Sequence, residues 1–272
     1  MNITDVSTDL DIVNLWLSQY SPNTHRQYYG ISRQLLEFTG KALTDIRLED
    51  LTLMLRSLEM RYKPATVANK VMVIKSLFSF CYKVGYLSHN IGSLLKRPKT
   101  KDSLSEKILD EVEVQLLTGN VTSDRDRLMI QLMYGLGLRV SELVGLKWSD
   151  LNRDILTVFG KGAKTRYIKL PEQLLKALNA IKQPTGYIFL SRYGKPLSRI
   201  AVFKMVKKAA EKAGLSEKVS PHFLRHSHAS HSLQNGASVR LVQATLGHSS
   251  ITTTEKYLHI RPNESSSSFI KF

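Results

Sequence analysis

The apolar positions of the first hundred residues repeat at helical spacing. Leu10, Val13 and Leu17 fall three and four residues apart, and Trp16 widens the same face. Ser21-Pro22 pairs a capping residue with the imino acid suited to a helix's first position. Tyr28, Ile31, Leu35 and Phe38 then form one stripe, which Gly40 ends. A third, shorter helix is predicted near 48–58, after which Tyr62-Lys63-Pro64 breaks the chain. Val67, Val71, Ile74, Phe78 and Cys81 make the clearest stripe of all. Cys81 falls on its buried side, which predicts a small core residue rather than a reactive thiol.

No hydrophobic periodicity crosses the polar, basic stretch KRPKTKDSLSEK at 96–107. This predicts a helical domain over 1–97, a linker over 98–107, a second domain over 108–261 and a Ser-rich tail over 262–272. The second domain mixes element types. Residues 155–159 read as a strand, Gly160-Lys161-Gly162-Ala163 as a turn, and 166–170 as the returning strand. Helices are predicted over 110–117, 123–136, 172–181, 198–213, 221–235, 238–246 and 250–257. Gly214, Gly236 and Gly247 stand where C-caps belong. The predicted fold class is mainly α, with a small antiparallel sheet in the second domain.

Composition narrows the function. With 272 residues, 42% hydrophobic and 23% charged, the chain is globular rather than disordered or fibrous. It contains no run of 18 apolar residues, and its acidic start lacks the basic n-region of a secretory signal. A single cysteine fits a reducing, cytoplasmic setting. Charge adds more. The 39 Lys and Arg outnumber 23 Asp and Glu, giving +16. Residues 1–100 carry 13 basic against 8 acidic side chains and the remainder 26 against 15, so no single tail holds the excess. Such a balance predicts a polyanionic partner, nucleic acid above all. Lys63, Lys70 and Lys75, on or near the fourth helix and off its apolar stripe, are candidates to meet phosphates.

Four short segments carry candidate chemistry. GLGLRVSEL puts Arg139 at the start of a helix with Glu142 three residues on, the spacing of a surface ion pair. Lys161 stands between two glycines at a hairpin tip. SPHFLRHSHASH places His222 and Arg225 on one helix face, and LGHSSITTTEKY sets His248 nine residues before Tyr257. Taken singly, each has an ordinary reading: an ion pair, a solvated lysine, a tyrosine buried on a terminal helix. His222 and His226 also have the i, i+4 spacing of zinc ligands. No acid lies within 222–233 to act as the base that an HExxH site needs, so no metal is predicted.

Together these segments resemble the tyrosine recombinase (phage integrase) family, Xer-type recombinases in particular, over nearly the whole chain. The resemblance implies a two-domain, C-shaped clamp on double-stranded DNA, its N-terminal helical domain binding the core of the site. It implies catalytic roles for Arg139, Lys161, His222, Arg225, His248 and the nucleophile Tyr257, with Glu142 holding Arg139 or its helix in place. The reaction would pass through a 3′-phosphotyrosyl link and a Holliday junction. It needs no cofactor, neither ATP nor Mg²⁺, because the phosphotyrosine conserves the bond energy. Four protomers would act on two sites, with an accessory protein as a further candidate partner. Independently of the resemblance, the tail end Phe269-Ile270-Lys271-Phe272 is too apolar for a solvated tail and too short for a core, which predicts docking on a neighbouring protomer. Two features depart from the family pattern: HSHAS stands where relatives more often carry HTFAT, putting His228 in place of an aromatic, and the Ser-rich tail is particular to this chain. The rivals are a type IB topoisomerase, disfavoured by the N-terminal helical domain, and a DNA-binding regulator without catalysis, disfavoured by the filled catalytic positions.

The charge reading has a direct check. Affinity for duplex DNA should fall steeply with salt, by roughly 10³-fold or more between about 50 and 200 mM if six or more phosphates are contacted. Fluorescence anisotropy across that range measures the slope, and a flat response would remove the electrostatic argument.

Overall fold

The computed structural model describes residues 8–100, 104–160, 165–183, 186–248 and 250–258, and the chain folds as two compact units, 1–101 and 102–272. The hairpin tip with Lys161 and the C-terminal tail lie outside the described residues.

The first unit is four helices: α1 (Asp9–Leu17), α2 (Pro22–Thr39), α3 (Leu48–Arg61) and α4 (Pro64–Lys83). Thr8 and Asp11 cap α1 reciprocally, and Gly40 closes α2 in the left-handed conformation at φ 61°. Ile12, Val13, Trp16 and Leu17 are the buried residues of α1, while Leu10 lies exposed at the rim of that face in the first turn. Trp16 stacks on Tyr28 at 5.3 Å between ring centroids and meets Tyr20 edge-on at 5.6 Å. Val67, Val71, Ile74, Leu77, Phe78 and Cys81 of α4 complete the core. Burial pushes the Cys81 thiol up to about 12, leaving it an inert core residue. Lys75 reaches the carbonyls of Ser93 and Leu95, both at 2.9 Å, and ties α4 to the 3-10 turn at Ile91–Leu94. Lys70 bonds Gln34 and lies over the Tyr62 ring, and Lys63 is the exposed N-cap of α4.

The second unit comprises α5 (Glu111–Gly119), α6 (Asp124–Gly135), α7 (Val140–Gly145), a three-stranded sheet, α8 (Glu172–Ala180), α9 (Arg199–Lys212), α10 (Pro221–Gln234), α11 (Val239–Leu246) and α12 (Thr252–Glu255). The sheet is antiparallel in the order β1 (Leu151–Asn152), β2 (Ile155–Phe159), β3 (Thr165–Lys169), with Val158 opposite Arg166. Helix α6 lies at the centre of the core: Leu128, Met129, Ile130, Leu132 and Met133 are all buried. It packs against α5, α7, α8 and α10. Leu156, Val158 and Ile168 turn the inner face of the sheet toward the same core. Ser227 in α10 accepts a bond from the Leu109 amide at 2.8 Å, and Leu104 and Ile108 pack beside α10, so residues from 104 onward belong to this unit's fold.

Two elements differ from the sequence expectation. Strand β1 is two residues long and carries no periodicity to read. The predicted helix over 250–257 shrinks to the four residues of α12, where three β-branched threonines disfavour a longer one, and Tyr257 follows it in a turn.

The segment leading into α7 depends on Gly137. Its φ is 61°, and a Cβ there would lie 2.5 Å from Leu246 Cδ2 and 2.8 Å from His228 Cδ2. Gly40 has the same φ with nothing within 4 Å. Gly40→Ala should therefore cost about 1 kcal/mol, for backbone strain alone. Gly137→Ala should cost roughly 1–3 kcal/mol more, for overpacking. Urea unfolding of the two variants separates the terms.

Candidate active site

Much of the site is assembled from the ends of elements, with Arg225 and His226 in the second turn of α10. Arg139 is the N-cap of α7, and its backbone amide donates to Glu142 Oε2 at 2.9 Å while its Nη1 donates to Glu142 Oε1 at 2.7 Å. The pair is no surface feature, since the Glu142 side chain is only 3% exposed. A second arginine explains how a carboxylate is kept there. Arg166 of β3 donates from Nη1 and Nη2 to the two Glu142 oxygens at 3.0 and 2.8 Å, and from Nε to the Thr245 carbonyl at 2.6 Å. Burial alone would raise the Glu142 carboxyl, but the bonds from Arg166 and Arg139 outweigh it and hold the group below its ordinary value.

Helix α10 supplies the next residues. Arg225 is buried and donates to the carbonyls of Gly137 and Leu246, the latter at 2.7 Å, binding the approach to α7 and the end of α11 to one guanidinium. Burial and the Arg139 charge lower Arg225 to about 10, which leaves it a cation at neutral pH. His222 lies one turn earlier at an exposed position; its partial desolvation, Arg225 and Arg139 all push it toward the neutral form. Gly247 closes α11 at φ 65°, and His248 follows it with Nδ1 2.9 Å from the buried hydroxyl of Thr254. Burial, then Arg225 and Arg139, bring His248 down to about 4.

Tyr257 is buried with Ala229, Leu233, Val242 and Leu246, and its hydroxyl lies 2.6 Å from Nδ1 of His226. Burial raises its phenol above the ordinary value, and the nearby Arg225 partly offsets this. Five of the six residues predicted for catalysis thus share one electrostatic neighbourhood. Lys161 lies outside the described residues, but its neighbours Gly160 and Thr165 line the same cleft as Arg139, Arg166 and His248, a cavity of about 580 Å³. Lys63, Lys70 and Lys75 belong to the other unit.

Sequence reasoning missed Arg166 and His226, and it missed Arg240 and Gln243 of α11, which line the cleft. Arg166 was legible only as a position in a strand, and His226 only as a possible zinc ligand. The histidines of α10 turn to separate tasks: His226 to Tyr257, His231 to the Tyr134 hydroxyl at 2.8 Å, and His228 to packing against Gly137.

The second unit is mainly α with a small antiparallel sheet, and it brings two arginines, histidines and a tyrosine into one neighbourhood. The model of the phage integrase family matches residues 104–264, and the chain belongs to that family. It is a tyrosine-type site-specific recombinase, similar to tyrosine recombinase XerD of Staphylococcus saprophyticus, with which it shares 36% identity over 215 residues, 73% of each chain. The fold is also that of a lambda integrase dimer bound to a COC′ core site (TM-score 0.75, 22% identity, covering 93% of this chain and 79% of that one). It matches equally a lambda integrase tetramer bound to a Holliday junction (TM-score 0.76, 21% identity, 92% and 80%). The topoisomerase and regulator readings draw no support from these likenesses.

The arginine pair around Glu142 sets an expectation for stability. Arg166→Ala leaves a buried carboxylate with half its partners and should cost about 3 kcal/mol. Arg166→Lys should recover less than half of that, because a point charge cannot bond both carboxylate oxygens and the Thr245 carbonyl together. Because Glu142 is lowered in the folded state, the wild-type contribution is present above its ordinary pKa and is lost as pH falls through the folded value. The difference between wild type and Arg166→Ala should therefore narrow in acid, as read by urea unfolding at neutral and acidic pH.

Proposed function

We propose that the chain cuts and rejoins double-stranded DNA at specific sites, with Tyr257 as nucleophile. Its Oη attacks the scissile phosphorus as the bond to the 5′ oxygen breaks, leaving a 3′-phosphotyrosyl link, and the freed 5′ hydroxyl of a partner strand reverses the step. Arg139 and Arg225 receive the non-bridging oxygens in their planar forks, and His248 donates a further bond. His222 bonds the phosphate or accepts the phenolic proton. Lys161 protonates the departing 5′ oxygen. Glu142 holds Arg139, and neither metal nor nucleotide takes part.

The observation that carries this reading is the convergence of Arg139, His222, Arg225, His248 and Tyr257 in one electrostatic neighbourhood beside an open cleft. Strand transfer builds negative charge at phosphorus, and two fixed arginines with neutral imidazole donors meet it. The +16 charge of the chain supports a DNA partner, and Lys63 and Lys70 of the first unit are candidates for phosphate contacts. Lys75 is a weaker candidate because it bonds two carbonyls of its own unit. By analogy with the lambda integrase tetramer on a Holliday junction, four copies act on two sites. The proposed setting is the cytoplasm; among the described residues no helix is long and apolar enough to cross a membrane.

Covalent trapping tests the proposal. Wild type and Tyr257→Phe are incubated in EDTA with nicked duplexes from the chain's genomic neighbourhood. The expected result is a protein–DNA adduct that survives denaturant and is absent from the variant. An adduct formed by the variant would mean another nucleophile.

A further inference from the structure

The hydrogen bond to the Tyr257 hydroxyl comes from a residue with no assigned part in the reaction. Oη lies 2.6 Å from Nδ1 of His226, with the rings 5.9 Å apart and tilted by 39°. Neither His222 nor His248 bonds this hydroxyl among the described residues, and the Nδ1 of His248 is already bonded to Thr254. Building on the reading of Tyr257 as nucleophile, we propose that His226 is the general base that takes the phenolic proton, leaving His222 to the phosphate. As Oη forms its bond to phosphorus, its proton passes to Nδ1. The bond from phosphorus to the 5′ oxygen breaks, and that oxygen leaves with a proton from the general acid. In the rejoining step the 5′ hydroxyl attacks phosphorus, and Nδ1–H returns its proton to Oη.

The local structure fits this role. To accept from Oη, Nδ1 must carry the lone pair, so the ring proton sits on Nε2. Burial, then His222, Lys107 and Arg225, bring His226 down to about 4, so the imidazole is neutral at physiological pH. These groups reach it from three places: His222 and Arg225 from its own helix, Lys107 from the 3-10 turn at Ser105–Lys107, and His248 from the chain after α11. All of them disfavour a further positive charge at His226. A phosphodiester among them brings one negative charge and offsets part of that positive field, so the base strengthens as its substrate arrives.

His226→Asn is the informative variant, because an amide can bond the hydroxyl without accepting its proton. On duplexes that wild type cleaves, single-turnover adduct formation by His226→Asn should be about 10²-fold slower near pH 7 at unchanged DNA affinity. The gap should narrow as pH rises and solvent hydroxide ionises the phenol. A 5′-bridging phosphorothiolate, whose sulfur leaves without a proton, should not restore the rate. Wild-type rates in the variant, a loss independent of pH, or rescue by the phosphorothiolate would each overturn the proposal. A wild type that forms no adduct removes the nucleophile reading, and this one with it. ¹⁵N NMR of the free protein gives a readout without DNA. The His226 ring should be neutral and Nε2-protonated at pH 7, and its Nδ1 resonance should move in Tyr257→Phe. A protonated ring, or one indifferent to that substitution, also overturns the assignment.

Discussion

A buried carboxylate governs how the catalytic unit is arranged. Glu142 lies in the first turn of α7, almost without solvent contact, and such a group is stable only if its charge is answered. Two guanidiniums answer it from different elements, Arg139 from the cap of its own helix and Arg166 from a strand. Removing the acid would leave Arg139, Arg166 and Arg225 as uncompensated like charges facing one another. With the acid present, Arg139 is held in a fixed direction while its side chain stays about one-third exposed. One negative charge among three positive ones leaves a net positive site, and that surplus is what an anionic substrate would meet.

Arg225 applies the same logic to the backbone. Its two bonds to the carbonyls of Gly137 and Leu246 connect the segments that present Arg139 and His248. The Gly137 carbonyl can point that way because the residue adopts a positive φ, and Leu246 and His228 can close over it because it has no side chain. The segments that carry Arg139 and His248 are therefore positioned through the one that carries Arg225, so a disturbance at any one of them is felt at the other two.

This explains what could and could not be read from the sequence. Stripes such as Val67-Val71-Ile74-Phe78 report burial directly, because the period of a helix is local information, and the hairpin over 155–170 announced itself by β-branched runs around glycines. Arg139, Glu142, His222, Arg225, His248 and Tyr257 were legible through resemblance, as residue types at family spacings. Arg166 was not, because its partners lie 24 and 79 residues away and nothing in an alternating strand marks one arginine as turned inward. His226 was passed over for a related reason. Its i, i+4 spacing from His222 raised only a metal reading, which the missing acid set aside, while its actual partner is 31 residues on, after a helix that three threonines cut short.

Charge and direction are divided between residue types in this site. Arg225 stays a cation even when burial lowers it, because the guanidinium starts so far above neutral pH. The imidazoles start close to neutrality, so the same burial and the same neighbours turn His226 and His248 into neutral groups. Arginines thus provide the permanent field, and histidines provide bonds whose donor or acceptor sense depends on which nitrogen holds the proton. An incoming phosphate changes the second class far more than the first. Such a site is poised by its own positive charge, and the anion it attracts is also what shifts its histidines toward proton transfer.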